Sequence, residues 1–479
     1  MTGSAEQIVH RVWAELGRDS AELAALDVLP VVPLPARLDV SGLAAGAVAA
    51  ASLAAASFAG AAATMRDGQM IRLDGDRIAT AFTSERWFRL GGKQPEVWAP
   101  LSGFRRAADG WVRTHANYPH HAAALRRGLG LAADADTGVV DAVIASRTAE
   151  DVEAAVVGAG GVCAVVRRET PADDVALRRT PLVELGASAS GDRSPRVPDG
   201  RVDPEYPLRG MRVLDLTRVI AGPVGTRTLG LLGADVLRID SPRLPEPEWQ
   251  HLDTGAAKRT TLLDLTARGD RERFDELLAR ADAVVLGYRP RGMQALGLDP
   301  VELTARRPGL VVGQLAAWGY DEADAERRGF DSIVQAATGI AWVEGERQGE
   351  RDAGGDGSGA SSDVEGRPGA LPAQALDHAS GYLLAAAVIS MLAGHAGEAR
   401  IARVSLRRTA AELLGLPRTT SASPADRLTD ERAAPHLVSF DTDGLEVRST
   451  GPAISAVAGP HAWPSGPRPW GRDEPVWPE

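Results

Sequence analysis

The chain has 479 residues, 44% of them hydrophobic and 24% charged, with a net charge of −11. This is the composition of a globular protein with room for two or three domains, and the acidic balance argues against general nucleic-acid binding. A single cysteine, Cys163 in an apolar stretch, excludes a disulfide framework and a cysteine-rich metal site.

No basic segment precedes the first apolar run, so a cytoplasmic location is expected. The run Leu43 to Ala63 is long enough to raise the question of a membrane span. It is mostly Ala and Gly, with Ser52 and Ser57 inside it, and reads as a tightly packed buried helix; no membrane association is expected. The histidines in His115-Ala116-Asn117-Tyr118-Pro119-His120-His121 are irregularly spaced and lack nearby carboxylates. They suit hydrogen bonding or substrate contact better than a metal, and no metal site is expected. Residues 188–206 and 349–369, rich in Ser, Gly, Pro and charge, read as linkers.

Between those linkers the pattern is α/β. Met211 to Leu216, Ala234 to Asp240, Ala283 to Leu286 and Leu310 to Leu315 read as strands. Ala221 to Gly225 reads as a turn opening a helix, and Asp270 to Ala281 as a helix. Such alternation predicts a parallel sheet with ligand contacts at the strand C-termini. A dinucleotide site is disfavoured: Gly222-Pro223-Val224-Gly225 is not G-x-G-x-x-G, and Pro223 removes an N–H that a pyrophosphate would need. Beyond the second linker, Leu376-Asp377-His378-Ala379-Ser380-Gly381 opens an Ala-rich helix. A carboxylate there would meet unpaired N–H groups and the helix dipole, stay ionised, and be able to attack an activated carbonyl without a base. The plainer reading is a helix cap.

Two internal echoes accompany this segment. Arg37-Leu38-Asp39-Val40-Ser41-Gly42 also opens an Ala-rich helix, with Leu38 where Asp377 stands. Phe440 to Val447 resembles Ala108 to Val112. The repeated pattern suggests a partial N-terminal copy that lacks the acid.

Five ordered blocks carry a more specific resemblance. Pro207 to Pro223, Leu232 to Asp240, Lys258 to Leu265, Ala281 to Pro290, and Arg328 to Asp331 followed by Thr338-Gly339 together resemble family III CoA-transferases over about residues 205–410. The resemblance implies a Rossmann-like parallel-sheet large domain with a smaller α+β domain. It divides the chain into a partial, degenerate copy at 1–190, a linker at 191–206, the large domain with the nucleophile helix at 207–410, and a truncated small-domain segment with a Pro- and Trp-rich tail at 411–479.

It also implies that CoA passes from an acyl-CoA to a carboxylic acid through an acyl-aspartyl anhydride and an aspartyl-CoA thioester, with no permanently bound cofactor. Asp377 would be the nucleophile, and Gly381 would let the thioester approach, the plainer reading of that glycine being close helix packing. Arg218, Val219 and Ala221 would line the CoA site, Arg238 and Arg243 would meet the adenosine phosphate, and Lys258, Tyr288 and Arg291 would lie along the same cleft. Lys258 stands out as one of two lysines. The partners implied are small-molecule acyl-CoA and carboxylate substrates, with the ring closed within one chain or across a homodimer. The related acyl-CoA racemases use a His where Phe330 stands here, and phenylalanine moves no proton. A catalytically inactive CoA-binding scaffold is the remaining alternative.

Overall fold

The computed structural model describes residues 3–60, 70–187, 202–345, 366–418, 427–455 and 460–478. Its largest element is a seven-stranded sheet in the order β5-β11-β10-β9-β6-β7-β8. The strands are β5 Glu184–Ala187, β6 Arg212–Leu216, β7 Asp235–Asp240, β8 Arg259–Leu262, β9 Ala283–Leu286, β10 Val311–Ala316 and β11 Ala399–Ser405. All pairings are parallel except β5 against β11. The four expected strands are β6, β7, β9 and β10. Their residues are almost wholly buried, as fits a parallel sheet covered on both faces. The expected turn Ala221–Gly225 is instead the opening of helix α5, Ala221–Leu231. Pro223 fits there because it lies in the first turn, where its missing N–H has no partner to lose.

The N-terminal segment does not stand apart as a separate unit ending near residue 190. It supplies β5 to the large sheet, and helices α1, Ser4–Glu15, and α2, Val40–Phe58, to the same apolar core. Strands β2 Gly103–Arg106, β3 Trp111–Thr114 and β4 Cys163–Val165 form a second sheet. With helices α3, Pro119–Leu129, and α4, Ala149–Gly158, it builds the smaller α+β domain around Val112, Leu125, Val152 and Cys163. A third sheet pairs β1, Arg89–Leu90, with the hairpin β13–β12, Leu445–Thr450 and Leu437–Thr442. Elements from both ends of the chain therefore share sheets. The C-terminal tail docks: the Trp477 indole N–H donates to the Leu277 carbonyl at 2.9 Å and that of Trp463 to Thr450 at 2.8 Å. Residues 188–201 and 346–365, which hold most of the two expected linkers, lie outside the described residues.

Helix α7, Ala375–Leu392, is buried at every position. It packs along α2 on one side and α5 on another. Both α2 and α7 are long and apolar enough to cross a membrane by length and composition, but their apolar windows are 89% and 100% buried inside the fold. Small residues allow the close approach. A Cβ on Gly381 would sit 2.4 Å from the Ala221 carbonyl oxygen and 3.1 Å from Val224, and one on Gly225 would sit 3.0 Å from the Gly381 carbonyl. The role expected for Gly381, giving room to a thioester, is thereby corrected: the atoms it makes room for belong to α5. Gly381→Ala is expected to destabilise the fold by about 1–3 kcal/mol through overpacking. Urea unfolding of the variant measures this, and an unchanged midpoint would show that the helices have slack.

Candidate active site

The loops leaving β6, β9, β10 and β11 converge on a cavity of about 460 Å³. It opens at the C-terminal ends of the strands, where the chain order reverses between β6 and β9, the usual place for a ligand in an open α/β sheet. Arg218, Val219 and Ala221 come from the first loop, Gly287, Tyr288 and Arg289 from the second, and Arg328, Gly329 and Phe330 from the segment before helix α6, Asp331–Ala337. The N-terminal segment adds Tyr118, His120 and His121. Asp377, from α7, is the only carboxyl among the described lining residues. A second chamber of about 50 Å³ lies on its other side, bounded by Glu85, Trp98, His115, Asn117, Trp249 and Asp331 among others.

Asp377 is 6% exposed. Its surroundings correct the expectation of a carboxylate steadied by free helix N–H groups. The anion at the mouth of α7 is Asp331: its Oδ2 accepts the Asp377 N–H at 3.0 Å, and it also takes a backbone hydrogen bond from Leu376. Gln335 donates to the same carboxylate through Nε2. Asp377 is left with burial and a like charge, and both push its carboxyl well above the usual carboxylate range. Burial lifts Asp331 to about 6, opposed by its hydrogen bonds. His378 points into the core, stacked 5.0 Å from Phe82, and burial lowers it to about 3, so it is not a base for this cavity.

The first loop is held in an unusual shape. Val219 has φ 71°, a left-handed conformation that costs a β-branched residue roughly 1–3 kcal/mol. Its N–H donates to Glu246 Oε1 at 2.7 Å, and Glu246 is ion-paired with Arg238. Arg238 is 1% exposed and also pairs with Asp240 at 2.8 Å. It lies behind the loop, with its charge already matched, and does not line the cavity. Lys258 is likewise turned inward, its Nζ 3.0 Å from Asp215 Oδ2. Asp215 further accepts the Thr217 N–H and the Thr217 and Thr226 hydroxyls. Burial alone would raise Asp215, but Lys258, Arg238 and the hydroxyls outweigh it and hold it low. Burial likewise pushes Lys258 down to about 8 against the pull of Asp215.

The residues expected along the CoA site thus fall into two groups. Arg218, Val219, Ala221 and Tyr288 line the cavity with Asp377. Arg238 and Lys258 sit in buried ion pairs that shape the loop, Arg243 is spent on Asp264 at 2.6 Å, and Arg291 faces Glu326 at 3.3 Å beside the lining residues Arg289 and Gly292. The cations the cavity gains instead are Arg289, which donates to the Glu326 carbonyl at 3.1 Å, and Arg328, neither in an ion pair among the described residues, and Arg218 lies over the Tyr118 ring at 4.9 Å. Both arginines belong to blocks quoted above (Arg289-Pro290 and Arg328-Gly329-Phe330-Asp331), so their signal was present but not assigned a role. Tyr118 and His121 were within a noted cluster whose place in space no spacing could reveal. Among the described residues no group of three or more His, Cys, Asp or Glu is arranged to hold a metal.

A family profile, CoA-transferase family III, matches residues 208–442. The chain is 30% identical over 203 residues to the Probable fatty acyl-CoA transferase Rv3272 of Mycobacterium tuberculosis, covering 40% of this chain and 47% of that one. It is 28% identical over 187 residues to human succinyl-CoA:glutarate CoA-transferase, covering 36% and 42%, and 31% identical over 153 residues to acetyl-CoA:oxalate CoA-transferase of Acetobacter aceti, covering 30% and 39%. The matched stretch spans less than half the length of each of these relatives. A solved structure of Rv3272 is similar at 29% identity with a TM-score of 0.37, covering 43% of this chain and 57% of that one.

Lys258→Met would leave Asp215 as a buried charge without its cation. A loss of about 3–5 kcal/mol in urea unfolding is expected. A variant of wild-type stability that fails only in ligand binding would instead restore Lys258 to the cavity's ligand.

Proposed function

We propose, for a chain whose residues 208–442 are a CoA-transferase family III domain, that it moves coenzyme A from an acyl-CoA to a carboxylic acid with Asp377 as covalent nucleophile. The observation that carries this reading is the position of Asp377: it is the sole described carboxyl in an arginine-lined cavity and it also faces a small narrow chamber. An ionised Asp377 oxygen attacks the thioester carbonyl, the C–S bond breaks, and CoA thiolate leaves an acyl-aspartyl anhydride. The thiolate then attacks the aspartyl carbonyl, releasing the first acid and forming an aspartyl-CoA thioester. An incoming carboxylate attacks that carbonyl and expels the thiolate, which takes the new acyl group and frees Asp377. Burial supports the sequence, because each activated intermediate is lost if water reaches it. Arg218, Arg289 and Arg328 supply positive charge and fork geometry suited to CoA phosphates.

The racemase alternative lacks its base: Phe330 occupies that position, stacked face to face with His115 at 3.7 Å, and burial lowers His115 to about 3. Enzyme loaded with acetyl-CoA or succinyl-CoA and quenched with hydroxylamine should carry a hydroxamate on the peptide containing Asp377. Deuterium uptake at the acyl α-carbon with no such adduct would favour the racemase. Asp377→Ala should lower transfer by roughly a thousandfold or more with CoA affinity within a few-fold of wild type.

The pH dependence has a defined sign. Only the ionised form of Asp377 attacks, and its carboxyl is raised by burial and then by Asp331, so adduct formation should rise with pH along an acidic limb. Asp331→Asn removes the like charge, which lowers the Asp377 value and moves that limb to lower pH. A limb that stays in place, or moves upward, would show that Asp331 does not set the ionisation of the nucleophile.

A further inference from the structure

The small chamber behind Asp377 adjoins a further cavity. Glu85, Val97, Trp98 and Gln374 line both it and a third cavity of about 380 Å³, which reaches solvent at the exposed residues Arg86, Gln94 and Ala370. The three cavities therefore adjoin in series, with Asp377 lining the first and second and no lining residue common to the first and third. The third cavity is built differently from the first. Two cations line it: Arg86, which donates to the Pro372 carbonyl, and Arg113, on β3, whose guanidinium lies between the Trp98 ring at 4.6 Å and the Phe104 ring at 4.9 Å. No carboxylate or carbonyl among the described residues pairs with Arg113, and its Nε is buried without a hydrogen-bond partner. The same holds for Ser332 Oγ and Glu85 Oε2 along this path. Ser332 is 5% exposed. Buried polar atoms are nearly always satisfied in folded proteins, so three orphans along one passage mark a place where a polar ligand supplies the missing bonds.

The passage also has a size. The chamber between the two larger cavities, about 50 Å³, has room for a carboxylate and a few further atoms, since on this measure about 10–15 Å³ holds one water. Asn117 fixes its wall by donating to the Val97 carbonyl at 3.0 Å and accepting the Ala99 N–H at 3.1 Å. A nucleotide cannot pass, whereas the slender end of an acid can. We propose that the carboxylic acid of the reaction enters and leaves through this second mouth, its carboxylate docked on Arg113 and handed past Ser332 and Glu85 to Asp377, while CoA holds the first cavity. Burial lifts Glu85 to about 7, which leaves its carboxyl partly protonated near neutrality and able to donate to a passing carboxylate. The two doors let one acid be exchanged for another while CoA stays in the first cavity, and the narrow chamber, filled by the acid's own carboxylate, limits water at Asp377.

This proposal rests on the transferase reading, and its test is a binding measurement that needs no covalent adduct. Calorimetric titration of the full chain with acetate, butyrate, succinate and glutarate, with and without saturating CoA, is the experiment. At least one acid should bind with an affinity that CoA changes by less than about two-fold. Arg113→Gln should weaken that acid at least ten-fold and leave CoA affinity unchanged, and Arg113→Lys should recover part of the loss. Competition between acid and CoA, no binding by any of the four acids, or an Arg113→Gln variant that retains acid affinity or loses CoA affinity as well would overturn the second door. An adduct on Asp377 in the same preparation would show that the transferase reading survives that failure.

Discussion

The hydrogen bonds from the first turn of α7 to the Asp331 carboxylate govern the rest of the site. A helix offers its first N–H groups to whatever acceptor is near, and here the acceptor comes from α6 and not from a residue of its own cap: Gln374 makes no side-chain capping bond. The bond fixes where α7 begins and so where Asp377 stands. It also brings a second carboxylate close to the first in a buried setting, where Coulomb repulsion is poorly screened. One interaction therefore does two things, placing Asp377 and raising the pH at which it ionises. A desolvated carboxyl of raised pKa is a stronger nucleophile once it has lost its proton, so the placement suits the proposed chemistry.

Behind the loop after β6, charge is used for shape. The chain Val219 N–H to Glu246 to Arg238 to Asp240 converts a buried ion pair into tension on a strained backbone position. Lys258 and Asp215 do the same for the turn at Thr217 and the start of α5. Such pairs contribute little net stability against apolar replacements, but breaking one partner is costly. The arginines left at the cavity, Arg218, Arg289 and Arg328, are in no ion pair among the described residues, Arg218 and Arg289 donating to carbonyls instead.

Much of this was legible from residue order. The strands β6, β7, β9 and β10 announced themselves as apolar runs between helices, and Asp377 was visible as an acid at the mouth of an Ala-rich helix. Strands β8 and β11 were not read, because Arg259-Thr260-Thr261-Leu262 and Ala399 to Ser405 mix charge and hydroxyls with few bulky residues. The misplaced cations share one cause. The resemblance puts Arg238, inside β7, and Lys258, just before β8, along the CoA site, yet the side chain of a strand residue can turn inward as readily as outward, and only the presence of Asp240, Glu246 and Asp215 decides. Gly381 was open to two readings, thioester approach and close helix packing, because a missing Cβ tells of a close neighbour without naming it. No local pattern could say that Glu85, Trp98 and His115, all far from Asp377 in the chain, would wall the space behind it.

The start of the segment that echoes α7 shows what separates anchoring from chemistry. Ahead of α2, the N–H groups of Arg37 and Leu38 donate to the two oxygens of Glu344 at 3.0 and 2.8 Å. A carboxylate from elsewhere thus holds successive N–H groups there as Asp331 holds those of Leu376 and Asp377. Leu38, in the place that Asp377 takes at α7, is 1% exposed and packed in the core. Neither of the described cavities that meet at Asp377 reaches it. A helix entrance tied by a distant acid is therefore a structural requirement that this architecture meets in both places. Reactivity depends on what the next side chain faces: apolar neighbours at one entrance, and at the other a cavity lined by arginines on one side with a narrow polar chamber on the other.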